Sequence, residues 1–97
     1  MATRTHNLYG RIVVANRAIK SVANSILRET YGVASGYVSE ILVDENKIYI
    51  NLRLHLKYGV TPEAVVDSVR ASVKYNVENF SGMSVAVINI KVLGIKQ

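Results

Sequence analysis

Residues 47–56 alternate without a break. Ile48, Ile50, Leu52, Leu54 and Leu56 fall on one side, and Tyr49, Asn51, Arg53 and His55 on the other. A period of two over this length predicts a strand with one buried face and one wet face. Tyr58-Gly59 breaks it, and the pattern then becomes helical. Thr61 is a natural N-cap, Pro62 fits the first helical position, and Glu63 suits the positive end of the helix dipole. A helix is expected over 62–80, with Val66, Val69, Val73, Val77 and Phe80 inward and Glu63, Asp67, Arg70, Lys74 and Glu78 outward. Its valines are poor helix formers, so packing must hold it.

The same reading extends to both ends. Residues 1–7 are expected to be a flexible tail of a single domain, 1–97. Leu8 to Val14 reads as a short strand with Tyr9, Arg11 and Val13 on one side, and Asn16 as the cap of a first helix. That helix carries Ile19, Val22, Ala23, Ile26 and Leu27 as one apolar stripe, and Gly32 stops it. Residues 37–43 read as a strand joined to 47–56 by the polar turn Asp44-Glu45-Asn46. After Gly82 a last strand runs over 84–93, with Ala86, Ile88, Ile90 and Val92 on one face and Val85, Val87, Asn89 and Lys91 on the other.

The order is then strand, helix, strand, strand, helix, strand. This predicts an α+β two-layer sandwich: a four-stranded sheet in βαββαβ order with both helices on one face, of ferredoxin-like topology. The other face would be bare. It would carry Tyr9, Arg11, Val13, Tyr37, Tyr49, Asn51, Arg53, His55, Val85 and Val87. Tyr37, Tyr49, Arg53, Val85 and Val87 are the candidates for an interface, because a contiguous apolar and aromatic patch marks an association surface. A homo-oligomer is expected.

Charge adds a second surface. The net charge is +5, and residues 1–28 hold Arg4, Arg11, Arg17, Lys20 and Arg28 with no acid. From Glu29 onward, seven bases balance seven acids. Arg17, Lys20 and Arg28 form a basic patch on the first helix, suited to an acidic partner or simply to solvent. Nucleic acid is the second reading: aromatics beside bases on an open sheet can hold a single strand. However, the glycine and aromatic signature of an RRM is missing, and no Gly-x-x-Gly loop of the KH type occurs.

Candidate chemistry is sparse. There is no cysteine, which removes disulfides and thiolate sites. His6 and His55 have no acidic or histidine neighbour at a metal-like spacing, and Ser35, Ser39 and Ser84 lack a neighbouring base. No catalytic residue, cofactor, metal or small-molecule substrate is expected. No apolar run approaches the roughly 18 residues of a membrane span, and no signal peptide is evident. The expected location is the cytoplasm.

Four stretches resemble the alkaline-shock-protein family of the Gram-positive envelope stress response. They are Tyr9-Gly10-Arg11-Ile12-Val13-Val14-Ala15-Asn16-Arg17-Ala18-Ile19, Tyr31-Gly32-Val33-Ala34, Tyr58-Gly59-Val60-Thr61-Pro62-Glu63, and the closing segment from Gly82 to Ile95. In order and spacing they cover nearly all of residues 8–95. The resemblance implies a cytoplasmic, non-enzymatic scaffold protein that self-associates and docks a membrane-anchored protein partner. It implies that the Tyr-Gly corners are structural, a glycine at a turn with a tyrosine packed over it. Two features depart from relatives: a short segment between Gly36 and Lys47, and an end two residues after Ile95.

Overall fold

The computed structural model describes the backbone of residues 2–97 and the side chains of residues 16–97. The element order is α1 (Ala2–Glu29), β1 (Val33–Asp44), β2 (Lys47–Lys57), α2 (Pro62–Ser81) and β3 (Ser84–Lys96). The three strands form one sheet in the order β1-β2-β3. β1 and β2 are an antiparallel hairpin turned at Glu45, whose φ is 57°. The β2–α2–β3 crossover brings β3 parallel to β2.

The α+β layering is as expected, but the four-stranded βαββαβ sheet and its ferredoxin-like topology are not found. The segment from Leu8 to Val14 is part of α1, and so are residues 2–7, expected as a tail. The sequence permits both readings. Leu8–Val14 alternates, yet Leu8, Ile12, Ala15, Ile19, Ala23 and Ile26 also recur at three- and four-residue intervals, the helical period. No proline interrupts 2–29, and one glycine inside a helix costs only about 1 kcal/mol. Asn16 therefore lies inside the helix and caps nothing. Tyr9, Arg11 and Val13 leave the sheet face to which alternation had assigned them.

The remaining signals hold. α2 starts after Thr61 with Pro62 in its first turn, and Gly82 closes it with φ 72°, its N–H donating to the Glu78 carbonyl at 2.9 Å. Gly32 has φ 91°, where a side chain is strained, and a Cβ there would lie 2.5 Å from Val65 Cγ2. It serves both a turn and a close helix approach.

Both helices cover one face of the sheet. α1 packs on β1 and on α2, and α2 packs on β3. Ile19, Ala23 and Leu27 from α1 meet Val65, Val69, Val73 and Val77 from α2 over the fully buried row Ile48, Ile50, Leu52, Leu54 and Leu56. Each such side chain contributes about 1.5–3 kcal/mol on burial. The α2 stripe is thus rotated from the expected one. Val65 is buried, whereas Phe80 is exposed.

Candidate functional site

The sheet face turned away from the helices is the candidate site. Its composition follows from the register. Leu42, Tyr49 and Val87 form one row across the three strands, and Glu40, Asn51 and Asn89 the next. Tyr37, Arg53 and Lys91 follow, then Ser35, His55 and Gly94. The face therefore has an apolar row one step from the charged hairpin row of Asp44, Lys47 and Ser84, and a cationic end at the far end of the strands.

The middle row is a hydrogen-bonded ladder. Asn89 Nδ2 donates to Asn51 Oδ1 at 3.0 Å, and Asn51 Nδ2 donates to Glu40 Oε1 at 3.2 Å. Ser39 Oγ also donates to the Asn51 carbonyl at 3.1 Å. These bonds hold the side chains flat and fix their polarity from β1 to β3. At the cationic end Lys96 Nζ donates to Ser35 Oγ at 3.1 Å. The apolar row is accessible: Leu42 is 57% and Val87 41% exposed.

Of the five interface candidates, Tyr37, Tyr49, Arg53 and Val87 lie on this face. Val85 does not. The β2–β3 register slips at Ala86, so Val85 pairs with Ile48 and enters the core, where it is buried, while Val87 pairs with Tyr49 outside. One extra residue in a strand reverses the face of everything before it. The slip is held by Glu78, whose Oε2 accepts a hydrogen bond from the Val85 amide at 2.8 Å. A second slip, at Ser39 in β1, turns Leu42 outward, where alternation from Tyr37 would place it inward. Sequence reasoning missed Leu42 for that reason.

Arg17, Lys20 and Arg28 are all exposed and lie on one flank of α1, beside the free edge of β1. On that flank Asn24 Oδ1 accepts a hydrogen bond from the Val38 amide at 3.1 Å. Arg17, Lys20, Asn16 and Ile41 line a shallow cleft of about 280 Å³. Arg28 donates to Ser25 Oγ at 3.2 Å. The patch is thus separate from the open sheet face.

The Tyr-Gly corners differ from what the resemblance implied. Tyr31 is 83% and Tyr58 72% exposed, so neither ring packs over its glycine. Tyr31 instead borders an open cleft of about 300 Å³ with Gly59, Thr61 and Ser68. Among the described residues no three His, Cys, Asp or Glu side chains cluster as a metal site would require. Among the described residues no helix is long and apolar enough to cross a membrane.

Residues 36–97 match the model of the alkaline shock protein 23 family, described as having a cell envelope-related function. The chain belongs to this family. The match begins in β1 and takes in the whole open face from Gly36 onward. Within the alkaline-shock family, the chain is similar to YloU, an uncharacterized protein of Bacillus subtilis (strain 168), with 27% identity over 116 aligned positions. That alignment covers 99% of this chain and 97% of YloU. It is longer than the chain's 97 residues, so YloU carries inserted residues within the matched span. Among solved structures, the fold is similar to forms of the MamM CTD. One has a TM-score of 0.55 at 11% identity over 88% of this chain and 96% of the other. A nickel form has a TM-score of 0.56 at 11% identity over 80% of this chain and 96% of the other. At such identity the likeness concerns the fold alone.

Proposed function

We propose that this alkaline-shock-family chain is a non-enzymatic scaffold at the cell envelope, which associates with its own copies and docks a membrane-anchored protein partner. The observation that carries the reading is the open sheet face. It presents Leu42, Tyr49 and Val87 to solvent in one row, and it does so on a sheet whose other face already holds the core. Exposed apolar rows rimmed by polar side chains serve association. Tyrosine and arginine, here Tyr37, Tyr49 and Arg53, are enriched at such contacts.

The basic flank of α1 gives the second contact. Arg17, Lys20 and Arg28 face an acidic protein surface or anionic lipid headgroups close to the membrane. The two surfaces are separate, so a self-associated scaffold keeps its cations available. Location near the membrane then comes from the docked partner.

Light scattering on a size-exclusion column, with absorbance at 260 and 280 nm, tests the reading. A protein-only oligomer that persists at moderate salt is expected. A monomer at all concentrations overturns it. An absorbance excess at 260 nm that salt strips away would replace it with nucleic-acid binding.

A further inference from the structure

The open face has an asymmetry that bears on how copies meet. Its acids, Glu40 and Asp44, are on β1, whereas its bases are Lys47, Arg53 and Lys57 on β2 and Lys91 and Lys96 on β3. β2 lies between β1 and β3. The apolar row is also split across the strands, with Leu42 on β1, Tyr49 on β2 and Val87 on β3.

A two-fold axis lying in the contact plane along β2 lays β1 of one copy over β3 of the other. Two packed sheets keep their strands within about 30° of each other. This rotation places Leu42 against the second copy's Val87, and Tyr49 against its own equivalent. It sets Glu40 over the second copy's Asn89, one row from its Lys91, and Tyr37 over that lysine. Each contact occurs twice, because a two-fold interface is the same patch on both subunits.

We infer that the open sheet face binds a second copy of this chain face to face, about a two-fold axis along β2, with Leu42 of each copy over Val87 of the other and Glu40 of each copy one row from the other's Lys91. The inference rests on the self-association proposed above and specifies its surface. Size supports it. Three strands about 4.8 Å apart and about ten residues long at about 3.3 Å each offer roughly 500 Å² per copy, and the roughly 1,000 Å² in total reaches the threshold for a specific interface. Lys47, Arg53 and Lys57 sit on the axis and oppose their own equivalents. This repulsion distinguishes the arrangement from one in which Arg53 grips an acidic foreign protein.

Charge exchange is the test, read by sedimentation equilibrium of the full chain. E40K and K91E, both exposed substitutions, should each weaken the dimer by about tenfold, since each turns two attractions into repulsions. The double variant E40K/K91E should restore it. R53S should leave it unchanged or tighten it. A parent chain that is monomeric overturns the self-association reading itself. An assembled parent that neither single variant weakens, or that the double variant fails to restore, overturns only this arrangement and moves the contact to another surface.

Discussion

Val85 and Val87 are two residues apart on one strand yet face opposite sides of the sheet. Val85 is 7% exposed and packs in the core beside Ile48, whereas Val87 is 41% exposed beside Tyr49. The register slip at Ala86 separates them. Identical substitutions at the two positions should therefore have different consequences. Val85→Asp buries an unpaired carboxylate and is expected to cost several kcal/mol, enough to unfold a domain of this size. Val87→Asp should change the stability of the isolated subunit by less than about 0.5 kcal/mol, as surface substitutions do, when compared at concentrations where the parent does not assemble. Thermal melts of the two variants check this, and similar melting temperatures would refute the slip.

The slip itself is held by Glu78. Its carboxylate satisfies the Val85 amide at 2.8 Å, which ties the end of α2 to the start of β3. Glu78→Ala leaves that donor without its acceptor and should cost about 1–3 kcal/mol in urea unfolding. Lys74→Ala, which removes the neighbour expected to pair with Glu78 on the helix surface, should cost far less. Equal losses would mean that Glu78 acts through the helix and not through the bulge.

Gly32 and Gly59 form a matched pair for backbone strain. Both have left-handed φ, 91° and 89°. A Cβ at Gly32 would collide with Val65, while one at Gly59 would meet nothing within 4 Å. Gly59→Ala should cost about 1–2 kcal/mol from conformation alone. Gly32→Ala should cost that and a further 1–3 kcal/mol, approximately, from overpacking against α2. Denaturant midpoints order the two. A Gly59→Ala loss as large as that of Gly32→Ala would contradict the close approach of α2.

The cations of α1 should be separable from the fold. Replacing Arg17, Lys20 and Arg28 by glutamine is expected to leave the melting temperature within a few degrees of the parent. It should weaken attachment to anionic vesicles or to an acidic partner at low salt, where screening is least. Attachment that survives the triple substitution would remove the basic flank from the account.

Two elements were legible in the sequence for clear physical reasons. β2 alternates without interruption from Lys47 to Leu56, and α2 carries Thr61, Pro62 and Gly82 at its ends. Both are single-period segments with strong boundary residues. Leu8–Val14 was not legible, because its β-branched residues also continue the helical spacing that ends at Leu27. Local pattern gives no means of ranking a short strand against five helical intervals. The open face was half legible. Tyr37, Tyr49, Arg53 and Val87 are where alternation placed them, but the slips at Ser39 and Ala86 exchanged Leu42 for Val85. A bulge has no signature in alternation itself. Here its partner is Glu78, seven residues away on a helix.

The central claim is that the exposed sheet face joins copies of this chain. The most direct measurement is the solution mass of the Val87→Asp variant beside that of the parent, at matched concentration and with circular dichroism of both. The account predicts an assembled parent and a folded variant of monomer mass. A folded variant that keeps the parent's mass, or a parent that is monomeric throughout, would contradict it.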